Sequence, residues 1–242
     1  MQSPLSNVAV IIPAWQPDER LVELAQSLCG FPFAAIVIVN DGSSPEHEQI
    51  FEQAARITGV TVLRHAINCG QCRAVKTGMQ FVFDHLPYIA GVVTADADGQ
   101  HAVKDIVRIA EALTAGDAKL VLGVRSFGAE VPLRSRFGNI LTQYVFRLLS
   151  GHRIQDTQTG LRGVPRQWIP EVQRVAGDRF EFAISLLARF LRQGIAVVEV
   201  PISTIYIDEN RSSHFRPVRD SIRIYGTLLK FYLSRWIPFR SK

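Results

Sequence analysis

Five short apolar runs recur through the first half of the chain: Val8–Ile12, Ile36–Val39, Val60–Leu63, Gly91–Thr94 and Leu120–Leu122. Apart from Thr61 and Thr94 they are apolar without alternation, so the strands formed there are expected to be covered on both faces. The stretches between them have helical spacing. Leu21, Leu24, Ala25 and Leu28 repeat at intervals of three and four within Asp18 to Leu28. A second helix is expected from Ser44-Pro45, with serine as N-cap and proline in the first turn. Others are expected over Gln71 to Asp84 and Val103 to Thr114. Strand–helix alternation of this kind leaves one economical solution, an α/β domain with a mostly parallel sheet flanked by helices.

The second half is less regular. Ser135 to Leu149 and Arg179 to Arg192 read as helices, the latter closed by Gly194. Gln158 to Val164 and Ile195 to Ile207 read as extended, and Phe215 onward as helical again. No linker-like shift in composition interrupts the chain. A single domain over residues 1–215 is expected, followed by a basic C-terminal helix over 216–242. At 242 residues and 47% hydrophobic, the chain can bury one large core.

In parallel sheets of this type ligands bind beyond the carboxyl ends of the strands. That rule puts Pro13-Ala14-Trp15, Asn40-Asp41-Gly42-Ser43 and Ala95-Asp96-Ala97-Asp98 on one rim. Asp96 and Asp98 are one residue apart, so in an extended segment both carboxylates point the same way, and Gln100 continues the alternation. Two carboxylates and an amide oxygen suit a hard cation, Mg²⁺ or Mn²⁺. The plainer alternative is a solvated Asp/Gly turn. Asp41 can accept hydrogen bonds from a base or a ribose, while the serines beside it cap the next helix. Asn68, Gly70, Ala74 and Gly78 stand at intervals that let a helix pack closely, and Arg73 and Lys76 nearby can meet phosphates.

Charge and cysteine content narrow the partners. The net charge is +5, and the excess collects at the end of the chain, in Arg211, Arg216, Arg219, Arg223, Lys230, Arg235, Arg240 and Lys242. A basic tail calls for a polyanion, either nucleic acid or an anionic membrane face. No helix-turn-helix, RNP or zinc signature supports the first, and an acidic rim repels a phosphate backbone, so no nucleic-acid partner is expected. Within the tail Ile222, Tyr225, Leu229, Tyr232, Leu233 and Trp236 share a helix face opposite Arg219, Arg223 and Lys230. An interfacial membrane helix and a core-packed helix with a solvated back both have this pattern. The amino terminus lacks a signal-peptide pattern, and no run approaches the ~18 apolar residues of a membrane span. The expected location is the cytoplasm, peripheral on the cytoplasmic face of the membrane. Cys69 and Cys72 form a CxxC with no second pair, and they read as small side chains with no metal or redox role.

Taken in order, the stretches AVIIPAW, IVIVNDGSS, NCGQCRAVKTG, TADADGQH, LGVRS, PLRSRFGN, DTQTGLRG and VEVPISTIYIDENRSSHFRP resemble the family 2 glycosyltransferases. The resemblance is closest to those that move a sugar from a nucleotide to a polyprenyl phosphate. It spans residues 8 to about 225. It implies the GT-A fold, a Rossmann-like single domain; a GDP- or UDP-linked sugar donor; a divalent metal; and an inverting transfer of a hexose-type sugar. Residue by residue it implies Asp96, Asp98 and Gln100 for the metal. Pro13, Ala14, Trp15, Asp41, Asn68, Arg73, Ala95, Asp96, Ala97 and Arg211 are implied for the donor. Arg211 opens a loop, with Ser212, Ser213 and His214, that closes over the diphosphate. Arg125, Arg134 and Arg136 would hold the acceptor phosphate. Asp156 is implied near the sugar, where it would orient a hydroxyl or act as base; alone it would read as a turn cap. Asp98 and Asp156 are thus the candidate catalytic residues. His101 would help a phosphate or cap the next helix. Two positions depart from the family: Trp15-Gln16-Pro17 replaces a frequent Tyr-Asn-Glu, and Gln71 replaces a lysine between glycines. Relatives often carry membrane helices after the catalytic domain, and this chain has none, which leaves room for an integral-membrane partner subunit. A transfer to a saccharide hydroxyl in cell-envelope synthesis is the second enzymatic reading, and a catalytically silent sugar-nucleotide- or nucleic-acid-binding protein is the reading from another class.

Overall fold

The computed structural model describes residues 3–116, 119–125, 142–148, 150–175, 177, 181–203, 226 and 229. The five apolar runs all become strands. In chain order the elements are β1 (Val8–Ala14), α1 (Arg20–Cys29), β2 (Ala35–Asn40), α2 (Glu48–Ala55), β3 (Val60–Arg64), α3 (Gln71–His85), β4 (Gly91–Thr94) and α4 (Val103–Thr114). Then come β5 (Leu120–Arg125), helical residues 142–148 (α5), β6 (Arg162–Pro165), α6 (Ile169–Gln173), α7 (Glu181–Arg192) and β7 (Val197–Ile202). The strands form one sheet in the order β3-β2-β1-β4-β6-β5-β7. β6 runs antiparallel to both of its neighbours, and the other pairings are parallel.

Each strand feeds two cores because successive side chains leave opposite faces of the sheet. Ile11, Val37, Val39, Val92, Leu120 and Leu122 pack with residues of α3, α6 and α7. Val10, Ile12, Ile36, Ile38, Val93 and Val121 pack with residues of α1, α2 and α4. The runs of β1, β2 and β5 are apolar because both faces are covered, whereas β3, at the edge of the sheet, is only partly buried and admits Thr61. α3 lies close against β1 and β2: a Cβ on Gly78 would come within 2.6 Å of Ile11 and 3.3 Å of Val39. The small residues at 74 and 78 make that approach geometrically available.

Several local expectations are corrected. β1 continues through Pro13 instead of ending there. The carbonyl of Ile11 accepts from the Ala95 amide, so odd positions of β1 face β4, and β4 stops opposite Ile11. The missing amide of Pro13 therefore breaks no ladder bond. Neither serine caps α2. Ser44 leads into a 3-10 turn without a side-chain bond, and the Ser43 hydroxyl accepts from the Gln16 amide at 2.9 Å. Extended structure between 158 and 164 is confined to β6, since 157–158 form a turn. Ser135 to Leu149 is helical over 142–148, and the rest of that stretch lies outside the described residues. So does the C-terminal helix apart from positions 226 and 229, which are helical.

Glu171 ties α6 to α7. Its carboxylate accepts from Arg189 at 2.7 Å and 3.0 Å and from Gln193 at 3.2 Å, and it also pairs with Arg174. These donors, Arg189 foremost, hold its pKa down to about 2. A depressed carboxylate contributes stability above its unfolded pKa and loses it as pH falls toward the folded value. Glu171→Gln is accordingly expected to be less stable than the parent at pH 7, with the gap closing between about pH 4.5 and pH 2. Urea unfolding of both proteins at pH 7 and pH 3 measures this, and an equal gap at the two pH values would contradict it.

Candidate active site

β3, β2, β1 and β4 end on the same rim, and the strand order reverses direction between β1 and β4. A crevice opens at such a reversal. Pro13, Ala14 and Trp15 stand on its β1 side, with Trp15 40% exposed. Ala95 to Asp98 stand on its β4 side. β6 enters the sheet at this rim with its amino end, pairing Arg162 with Thr94. The preceding turn, Asp156 to Gly160, is thereby brought to the same crevice.

The two aspartates do not lie on an extended segment. The chain turns at 97–98, Gly99 has φ +80°, and the Gln100 amide donates to Asp98 Oδ1 at 3.0 Å. The short Asp side chain bonds its own backbone two residues on, and glycine supplies the positive φ the turn requires. The alternation expected to align Gln100 with the carboxylates is therefore absent. Asp96 is held from several sides. Its Oδ1 accepts from Gln71 Nε2 at 2.6 Å, and its amide donates to His101 Nδ1 at 3.0 Å. That bond makes Nδ1 the acceptor and leaves the ring proton on Nε2, 3.8 Å from Asp96 Oδ2. Gly160 closes a third side: a Cβ there would lie 2.4 Å from Asp96 Oδ2. The Thr94 hydroxyl donates to the Gly160 carbonyl at 2.6 Å and keeps the backbone close. Burial and then the neighbouring Asp96 push the Asp98 carboxyl above the usual carboxylate range. A pair of carboxylates in this condition is short of positive charge, and hard oxygen donors of this kind fit a divalent cation.

Asp41 is 2% exposed. Its carboxylate accepts from His65 Nδ1 at 2.7 Å, from the Cys69 amide at 2.9 Å and from the Gly70 amide at 2.8 Å. His65 Nε2 lies 2.9 Å from the Thr77 hydroxyl. Asp41 thus folds the 65–70 segment onto the end of β2 instead of presenting an open carboxylate to the crevice. Gly42 completes the contact: at φ +67° a Cβ would sit 2.2 Å from the Ile67 carbonyl carbon, so only glycine lets the two loops touch. Among the described residues, Asp41, His65 and Cys69 also bring three potential ligand atoms within 4.8 Å of one another. The hydrogen bonds already made by Asp41 and His65 account for that closeness.

The DTQTG turn is organised by two arginines. Arg125 Nε donates to Asp156 Oδ2 at 2.7 Å and Nη2 to Oδ1 at 3.2 Å, a bidentate pair on a carboxylate with no exposure. Arg162 is buried, and its guanidinium donates to the carbonyls of Thr157, Thr159 and Ala183. Burial lowers its pKa to about 10, still well above neutral pH, so it remains a cation. Asn68 and Arg73 are exposed on the rim side of α3. Lys76 does not join them. It is buried, donates to the Val175 carbonyl and lies over the Phe182 ring at 5.1 Å. Arg134, Arg136, Arg211, Ser212, Ser213 and His214 lie outside the described residues. Sequence reasoning missed His65, Gly160 and Arg162, and it noted Gln71 only as a departure from the family. The available signals were position just past a strand end for His65 and a charged residue directly after the apolar Leu161 at the start of a strand for Arg162.

Residues 9–169 match the sequence profile of glycosyl transferase family 2. The chain belongs to that family. Among its relatives, the UDP-N-acetylglucosamine–dolichyl-phosphate N-acetylglucosaminyltransferase of Methanococcus voltae is 26% identical over 219 residues, covering 83% of this chain and 86% of the relative. The polyprenol monophosphomannose synthase of Mycolicibacterium smegmatis is 29% identical over 211 residues, covering 83% and 78%. Glucosyl-3-phosphoglycerate synthase from Mycobacterium tuberculosis, crystallised with Mn²⁺, UDP and glucosyl-3-phosphoglycerate, superposes over 97% of this chain and 81% of that one. Its TM-score is 0.67 at 16% identity, a likeness of fold. The family 2 chain described here thus has the GT-A architecture, with the crevice between β1 and β4 as its candidate active site.

Proposed function

We propose that this family 2 enzyme transfers a hexose-type sugar, with inversion, from a GDP- or UDP-linked donor to a polyprenyl phosphate. The observation that carries the reading is the partly buried carboxylate pair Asp96/Asp98 at the β1/β4 crevice. The acceptor class is supported by the relatives named above, whose own names specify lipid phosphates. Asp96 and Asp98 would hold Mg²⁺ or Mn²⁺, and fold relatives crystallised with these ions and UDP support that choice. When bound, the cation supplies positive charge to the departing diphosphate. Trp15 offers an exposed ring at the rim on which a base can stack, and Asp41 shapes the neighbouring loop.

A lipid phosphate is anionic at neutral pH and needs no general base, only cations to hold it. Asp156 fits that requirement: its oxygens already accept from Arg125 and from the Gln158 amide at 3.2 Å. It would hold Arg125 and the sugar-side turn in place. Arg134 and Arg136 are proposed to meet the acceptor phosphate. Arg134→Ala is then expected to raise the acceptor KM roughly 10- to 150-fold, the loss of one charge-assisted contact. Asp156→Asn should cost less than about tenfold, whereas loss of a true base would cost about 10²–10⁴. The assay is nucleoside diphosphate release from GDP- and UDP-sugars with undecaprenyl phosphate against undecaprenol. Turnover with the alcohol and none with the phosphate would overturn the acceptor assignment in favour of a hydroxyl.

We also propose peripheral attachment to an anionic membrane, on its cytoplasmic side. Among the described residues no helix is long and apolar enough to cross a membrane. Tyr144 and Leu148, one turn apart on α5, are 66% and 69% exposed, and Leu229 in the amphipathic tail is 51% exposed. Wild-type protein is expected to float with vesicles containing phosphatidylglycerol, and a Leu229→Glu/Trp236→Glu variant to float several-fold less. Equal flotation of the two proteins would contradict the proposal.

A further inference from the structure

The two aspartates of the crevice are not equivalent. Asp98 accepts from an amide of its own turn, whereas Asp96 is gripped by a side chain from another element. Gln71 is the first residue of α3, and its amide nitrogen reaches Asp96 Oδ1 at 2.6 Å. The segment that delivers Gln71 is itself pinned, because the Cys69 and Gly70 amides just before it donate to Asp41. Gly70 takes φ +95°, which redirects the chain into α3. A continuous path therefore runs from Asp41 at the end of β2, through the 69–71 backbone and Gln71, to Asp96 at the end of β4.

The chemistry of Gln71 matters as much as its reach. A carboxamide donates a hydrogen bond without carrying charge, so it orients Asp96 and adds no positive charge beside the carboxylates. An alkylammonium at the same place would satisfy the same oxygen and cancel part of the carboxylate charge. We propose that Gln71 is a positioning residue that sets how strongly this site depends on a divalent cation: it fixes Asp96 without bringing a positive charge of its own to the place of the metal. The inference rests on the reading of the crevice as a metal-nucleotide site. It adds that the strength of metal uptake is governed from α3 and not by the two aspartates alone.

The test follows Mn²⁺ by the electron paramagnetic resonance signal of the free ion. Full-length wild-type protein, Gln71→Lys, Gln71→Ala and Asp98→Asn are titrated in the presence of UDP and, separately, GDP. Nucleotide affinity without metal is measured in parallel by calorimetry. Gln71→Lys is expected to weaken Mn²⁺ uptake about tenfold or more, because a positive charge sits at hydrogen-bond distance from a metal-facing carboxylate. The same variant should bind the nucleotide without metal several-fold more tightly than wild type. Gln71→Ala should weaken Mn²⁺ uptake about fivefold, the loss of one hydrogen bond, with no gain in metal-free binding. Opposite-signed effects of one substitution cannot come from a damaged fold, which weakens both. Wild-type Mn²⁺ affinity in both Gln71 variants, with Asp98→Asn defective, would overturn the role of Gln71 and leave the metal site standing. No Mn²⁺ uptake by wild type with either nucleotide would overturn both.

Discussion

Asp98→Asn is expected to lower turnover by about 10²–10³, the scale on which removal of one electrostatic contact to developing charge is felt. Its melting temperature should stay unchanged or rise. The Asp98 carboxyl is partly desolvated beside Asp96 and shifted upward, so its ionised form is disfavoured in the folded protein. A group with a raised folded pKa costs stability once the pH exceeds its unfolded value. Asparagine keeps the shape and the oxygen that accepts from Gln100, and removes the repulsion. Activity and stability should therefore move in opposite directions, as they do where a site is built for function against the preference of the fold. Mn²⁺ with UDP or GDP should raise the melting temperature of wild type and not of the variant. An active Asp98→Asn enzyme in the presence of EDTA would contradict the metal assignment, and a sharply less stable one would contradict the energetic argument.

Arg162→Met carries the largest expected structural effect. The guanidinium is buried and supplies donors to the carbonyls of Thr157, Thr159 and Ala183. Methionine fills much of the volume and satisfies none of the three carbonyls, so a loss of about 3–5 kcal/mol is expected. For a domain of this size that corresponds to roughly 10 °C in melting temperature. Arg162→Lys should retain part of the stability, since an ammonium keeps the charge but cannot reach three carbonyls in a planar fork. Thermal unfolding of the three proteins gives the ranking, and equal melting temperatures for Arg162→Met and wild type would show that the turn is held by other means.

The sheet and its helices were legible because their signals are redundant. α4 falls on Val103–Thr114, as its spacing and the preceding polar turn indicate. Runs apolar on both faces left only a doubly covered sheet. What escaped was set by contacts distant in sequence. Lys76 was grouped with Arg73 by proximity, but it shares its helix face with the buried Cys72 and Met79 and lies 99 residues in sequence from its carbonyl partner at Val175. Asp41 looked like an open acceptor until the 65–70 segment folded onto it. The motif at 96–98 was read with strand periodicity across a point where glycine and an aspartate–amide bond had already turned the chain. Gly160 carried no local signal, since its need to be small comes from Asp96, in another loop.

The lone antiparallel strand has a bearing on how such an enzyme handles its two partners. β5 leaves the rim at Arg125, and β6 re-enters beside it at Arg162, the two strands being direct neighbours in the sheet. The described part of the connection between them is tied in: Phe146 and Ile154 enter the core, and Asp156 receives Arg125. The donor side is built differently, from turns that each lead into a packed helix. On the proposed assignment, Arg134 and Arg136 belong in sequence to this connection, and the carboxylate pair to the one between β4 and α4. Recipient and leaving group would then be handled by separate connections of one sheet.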